Sequence, residues 1–93
     1  MKVWILTKAC DIDPGEILGV YDRDLGYTRF TETAREMYRA SRTSMFSLPE
    51  DLDAETAAYD PQAEATHADD ESLYLEVRGD VLTLTPHDYQ TGA

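Results

Sequence analysis

The chain has a single cysteine, Cys10, in 93 residues. No disulfide can close within it, and a reducing compartment is expected. Basic residues are scarce: eight Lys and Arg stand against nineteen Asp and Glu, a formal charge of −11. DNA, RNA and anionic membranes all require a basic footprint, so no direct nucleic-acid partner and no membrane partner is expected. Long apolar runs are lacking as well. Residues 3–6 are too short for a signal-peptide core, Lys8 interrupts the approach to Cys10, and nothing nears transmembrane length. A cytoplasmic location is the resulting expectation. No P-loop, G-x-S-x-G, H-E-x-x-H or G-x-G-x-x-G occurs. With carboxylates this abundant, any pair picked from them carries no information. The chain is therefore not expected to be an enzyme, and no cofactor is expected.

The negative charge that is present is unevenly placed. Residues 1–48 hold seven basic and seven acidic side chains, residues 49–72 hold nine acids and no Lys or Arg, and residues 73–93 hold three acids and one Arg. Nearly all of the net charge lies in one internal stretch.

Around that stretch the patterning predicts a single small α+β domain over residues 1–93. Lys2–Cys10 alternates as a strand, with Val3, Ile5, Thr7 and Ala9 on one side and Trp4, Leu6 and Lys8 on the other. Apolar residues near its start on both sides suit a central or doubly covered strand. Pro14-Gly15 fits the centre of a type II turn, and residues 16–23 return as a second strand, in which Gly19 hints at a bulge or a close crossing. Asp24, Leu25 and Gly26 read as punctuation. From Thr28 or Thr31 to Arg42, Phe30, Ala34, Met37, Tyr38 and Ser41 recur at helical spacing. Arg35, Arg39 and Arg42 form a second, exposed stripe, with Glu32 and Glu36 placed to pair with it in part.

The acidic stretch opens on Ser47-Leu48-Pro49-Glu50, a capping box, which predicts a short acidic helix over residues 49–58. Leu48, Leu52 and Tyr59 share one side of it. Pro61 is expected to stop it, and residues 62–72 to form a loop. Leu73, Leu75 and Val77 then alternate with Tyr74 and Glu76. Gly79-Asp80 supplies a two-residue hairpin turn, pairing Leu75 with Leu84, and Pro86 ends the strand before a frayed tail at residues 87–93. The order is β-β-α-(α)-β-β: a two-layer, four-stranded, mostly antiparallel sheet of two hairpins with one main helix.

Other patterns have simple explanations. DIDPGE begins like a calcium loop but has Gly15 one position early and Asp22 where the closing Glu belongs, so a hairpin turn is favoured. His67 with Asp69, Asp70 and Glu71 has no converging ligands, and no metal site is expected. Arg78-Gly79-Asp80 spells an adhesion tripeptide but sits where a turn is needed. Cys10 lacks a CxxC partner.

KVWIL, followed by GEILGVYDR and a helix, resembles a class of small β-β-α-β proteins of bacteria and their phages, over residues 2–42. The resemblance implies the fold and a phage association.

Two functions are expected from these residues. The leading one is a non-enzymatic module presenting an acidic surface to a basic protein site, most specifically an anti-defence inhibitor of a nucleic-acid-binding protein. Glu50, Asp51, Asp53, Glu55, Asp69, Asp70 and Glu71 would carry its charge, with Leu52 and Tyr59 as apolar anchors. A helix over residues 49–58 would present about one charge per 4 Å, against about one per 1.7 Å for duplex DNA, so imitation of nucleic acid needs acids from elsewhere, such as Asp22, Asp24 and Glu76. The alternative is a structural or regulatory domain that homodimerises through a sheet face bearing Trp4, Tyr74, Thr83 and Thr85, or through an open edge strand, the acidic stretch being a solubilising connector. The Arg stripe could serve an acidic ligand or dock the chain's own acidic segment, and the second is the default.

Overall fold

The structure is a computed structural model that describes residues 2–10, 13–43, 52–67 and 71–88. Its elements are β1 (Lys2–Cys10), β2 (Asp13–Tyr21), α1 (Arg23–Arg42), α2 (Leu52–Ala58), α3 (Pro61–Glu64), β3 (Leu73–Val77) and β4 (Asp80–Asp88). The strands form one antiparallel sheet in the order β2-β1-β4-β3. The expected α+β architecture of two hairpins and a main helix is what the chain adopts, with an additional helical turn. No helix among the described residues is long and apolar enough to cross a membrane.

Alternation along the strands explains the layering. Trp4 and Leu6 of β1, Leu82 and Leu84 of β4, and Leu73 and Leu75 of β3 are all buried and face α1. Phe30, Ala34 and Met37 descend onto them from the helix. The row Gly19, Leu6, Leu84, Leu73 runs across all four strands in register. Its three leucines are each no more than 1 % exposed. Fully burying a leucine contributes about 1.5–3 kcal/mol, so this row is the thermodynamic centre of the sheet.

Helix α1 begins five or more residues earlier than its pattern predicts. Asp22 caps it, accepting a hydrogen bond from the Leu25 amide at 2.8 Å. Gly26 lies inside the helix, because a Cβ there would approach Trp4 Cβ to 3.1 Å and Leu84 Cδ1 to 3.4 Å. What reads in sequence as a break is the point of closest approach between helix and sheet.

The turns also differ from expectation. Pro14-Gly15 is not the centre of the first turn. Cys10 pairs with Asp13, so Pro14 and Gly15 lie within β2, and Gly15 takes φ +114° where the register slips. A second slip, between Leu6 and Thr7, leaves Leu18 as an extra residue beside Gly19, the bulge that Gly19 suggests. In the second hairpin the turn is Arg78-Gly79 rather than Gly79-Asp80, with φ of +48° and +86°. Positive φ at both central residues marks the I′ type that matches strand twist. Val77 consequently pairs with Asp80 and Leu75 with Leu82. That is a shift of two, which keeps Leu73, Leu75, Val77, Leu82 and Leu84 on the inner face.

Two prolines depart from the expected roles. Pro61 does not merely stop α2: it opens α3, with Asp60 as the cap accepting from Ala63 N at 3.3 Å. Pro86 does not end β4. It pairs with Trp4, and the strand continues through His87 and Asp88, residues expected in the frayed tail. Beyond Leu84, β4 is flanked only by β1, so an imide nitrogen is tolerated there. The capping box at residues 47–50 lies outside the described residues.

Candidate functional site

The acidic stretch meets the Arg stripe. Arg39 on α1 pairs with Asp53 on α2. Arg42 reaches Glu55 through Nη2 at 3.2 Å and Nε at 3.3 Å. Arg35 donates from Nε to the Tyr59 carbonyl at 3.2 Å. One cationic stripe, at i, i+4 and i+7, thus holds about two turns of acidic helix, α2, and the residue that follows it. Glu32 instead pairs with Arg29, at 2.9 Å.

Charge is the weaker part of this docking. The Asp53 side chain is 89 % exposed, and such pairs contribute about 0–1 kcal/mol each. Apolar contact does more. Leu52 is buried at 5 % exposure. The Tyr59 ring stacks on Tyr38 with centroids 4.2 Å apart and planes 11° from parallel, worth about 0.5–1.5 kcal/mol beyond area. Of Leu52 and Tyr59, expected as apolar anchors for a partner, Leu52 is buried and Tyr59 is turned against Tyr38 of α1. Burial, the Glu64 carboxylate and Tyr38 raise the Tyr59 phenol above its ordinary pKa of 10.0.

Glu71 is fixed at the other end of the stretch. Its carboxylate pairs with Lys2, and its carbonyl accepts from Trp4 Nε1 at 3.3 Å and from the Tyr27 hydroxyl at 3.1 Å. Gln62 on α3 donates to Thr31 on α1 at 2.9 Å. Glu50, Asp51, Asp69 and Asp70 lie outside the described residues. His67 is exposed, and no cluster of three metal-ligating side chains occurs among the described residues.

The other side of the sheet carries no helix. The row Ile17, Thr7, Thr83, Tyr74 crosses all four strands there, and Val20, Ile5, Thr85 forms a second row. Ile17 is 65 % exposed, Val20 55 % and Tyr74 41 %. Glu76 is the one formally charged side chain among the β1, β3 and β4 positions of this face. Trp4, expected here beside Tyr74, is buried on the opposite face. Lys2 takes the parity of Trp4, and residues 3, 5, 7 and 9, which face the other way, are half-buried.

Neither sheet edge invites pairing. Thr66 exchanges two backbone hydrogen bonds with Tyr74 along the outer side of β3, at 2.7 and 2.9 Å. The outer strand β2 carries Pro14 and two register slips, devices that blunt an edge. Of the two surfaces expected from sequence, a sheet face or an edge strand, the bare one is the face, with Tyr74, Thr83 and Thr85 on it and Trp4 on the other side. The alternation of β1 contained that signal, in Ile5 opposite Trp4 and Leu6. Comparison with known protein families, with curated proteins and with solved structures finds no match to this chain.

Proposed function

We propose that this protein is a non-enzymatic interaction module that self-associates through the open face of its sheet. The single observation behind this is an uncovered, almost uncharged face four strands wide, with Ile17, Val20 and Tyr74 exposed on it, on a chain of net charge −11. Its occupant is a second copy, and charge is the reason. The acids of α1, α2 and α3 lie in the helical layer, so two copies joined sheet to sheet hold their like charges as far apart as the fold permits. Four strands about 4.8 Å apart and seven residues of about 3.3 Å give a footprint near 440 Å² per copy, about half the standard interface, so the dimer is weak.

Such a dimer turns the two helical layers outward, and a basic protein surface is the partner that the chain's excess of acids suits. The sharper idea, an inhibitor imitating nucleic acid, draws less support. Asp53, Glu55 and Glu71 already engage the protein's own cations.

Sedimentation from about 1 to about 300 µM at low and high salt tests this proposal. The expected result is a dimer that tightens as salt screens repulsion between two acidic copies. A monomer throughout this range would overturn it.

A further inference from the structure

The core ends abruptly at one rim of the helical layer. The inward row of β1 runs Trp4, Leu6, Lys8, and that of β4 runs Leu84, Leu82, Asp80: β1 turns charged at Lys8, opposite Leu82, and β4 one inward position later at Asp80. Between this rim and the C-terminal half of α1 lies a cleft of about 420 Å³. Met37 and Val77 form its apolar floor, and Lys8, Glu36, Arg78 and Asp80 line it. Small-molecule sites commonly fall in the range of about 300–1,000 Å³.

Two independent observations single this cleft out. The first is which charges lack partners. Lys2, Arg23, Arg29, Arg39 and Arg42 each pair with a carboxylate, and Arg35 with a carbonyl. Among the described residues, Lys8 and Arg78 are the two basic side chains with neither an ion pair nor a hydrogen bond, and both line the cleft. Glu36 and Asp80 have no cationic partner among the described residues either, although they share the cleft with those cations. Glu16, opposite Lys8 on β2, also forms no ion pair with it. The second observation is backbone strain. Arg78 is the one non-glycine residue with positive φ among the described residues, at a turn position that Gly, Asn or Asp would occupy more easily. A long cation is held there against local preference, at the edge of the cleft.

We propose that the cleft binds a small zwitterion of the amino-acid class. Lys8 and Arg78 would take its carboxylate, Glu36 and Asp80 its ammonium, and Met37 and Val77 its side chain. A simple anion would face two carboxylates, and a simple cation two basic groups. Only a ligand carrying both signs satisfies all four. The cleft lies on the helix side, so this site stands apart from the dimer proposal.

Amide-detected NMR titration of the full chain tests it. The probes are L-norleucine, L-glutamine and L-phenylalanine, with hexanoate and pentylamine as the two halves of norleucine. The expected result is saturable shifts at Lys8, Ser41, Val77 and Asp80 with at least one amino acid. Both halves should bind at least about tenfold more weakly, since each forfeits its charge-assisted hydrogen bonds. Arg78→Gly, which suits the turn and so keeps the fold, should weaken binding at least about fivefold. The proposal is overturned if all three amino acids fail to saturate the site at about 50 mM. Hexanoate binding as tightly as norleucine, or unchanged binding by R78G, would equally overturn it.

Discussion

Ile17→Thr is the sharpest perturbation of the open face. The change keeps the β-branch that a strand favours and removes two carbons from the apolar surface. A buried CH₂ is worth about 0.8 kcal/mol, so full burial of those carbons would contribute about 1.6 kcal/mol. Ile17 is 65 % exposed in the single chain, which leaves about 1 kcal/mol to be recovered in each copy. A two-fold interface contains the residue twice, so dimerisation should weaken by about 2 kcal/mol, or about 30-fold in Kd. The same exposure means that the monomer loses little, and its unfolding free energy should move by less than about 0.5 kcal/mol. Sedimentation velocity across a dilution series reads the first quantity, and urea unfolding at the dilute end reads the second. A Kd within about threefold of the parent would refute the placement of Ile17 in the interface.

Three further outcomes follow from the packing and charge of the helical layer. Gly26→Ala should destabilise by about 1–2 kcal/mol in urea unfolding despite alanine's better helix propensity, because the new methyl meets Trp4 Cβ at 3.1 Å; a more stable variant would contradict that crowding. A double-mutant cycle on Arg39 and Asp53 should give a coupling below about 1 kcal/mol that fades with salt, as befits an exposed pair. Tyr59 favours its neutral form in the folded state, so its contribution is complete below pH 10.0 and is lost as pH rises through the higher folded value. Ultraviolet titration should show one late-ionising phenol, which Tyr59→Phe removes, together with that part of the alkaline loss of stability.

Sequence patterning located the strands, the main helix and the α+β class because those depend on periodicity, which side chains carry directly. It was weaker wherever tertiary approach overrides local preference. Gly26 looks like a helix breaker until Trp4 occupies the space above it. Arg78 looks like the last residue of a strand because nothing local declares that an arginine will accept positive φ. Pro14-Gly15 makes a good turn in isolation, yet the ladder with Lys8 and Cys10 draws it into a strand. The Arg stripe was legible as a docking site for the acidic segment, since charge and spacing were both in the sequence. The turn of Tyr59 against α1 depended on Tyr38 being within stacking distance, which spacing alone does not reveal.

The β1–β4 ladder has a consequence for how the chain is made. It joins the first strand to the last along eight residue pairs, so the middle of the sheet is the seam between the two ends of the sequence. Each hairpin can form early from neighbouring residues. Trp4 and Leu6, however, gain their strand neighbours Pro86 and Leu84 only after β2, the three helices and β3 have emerged from the ribosome. Until then the nascent first hairpin exposes the apolar side that will become the core. Folding is therefore committed by β4, and a chain cut short before Asp80 loses a central member of the sheet rather than a rim.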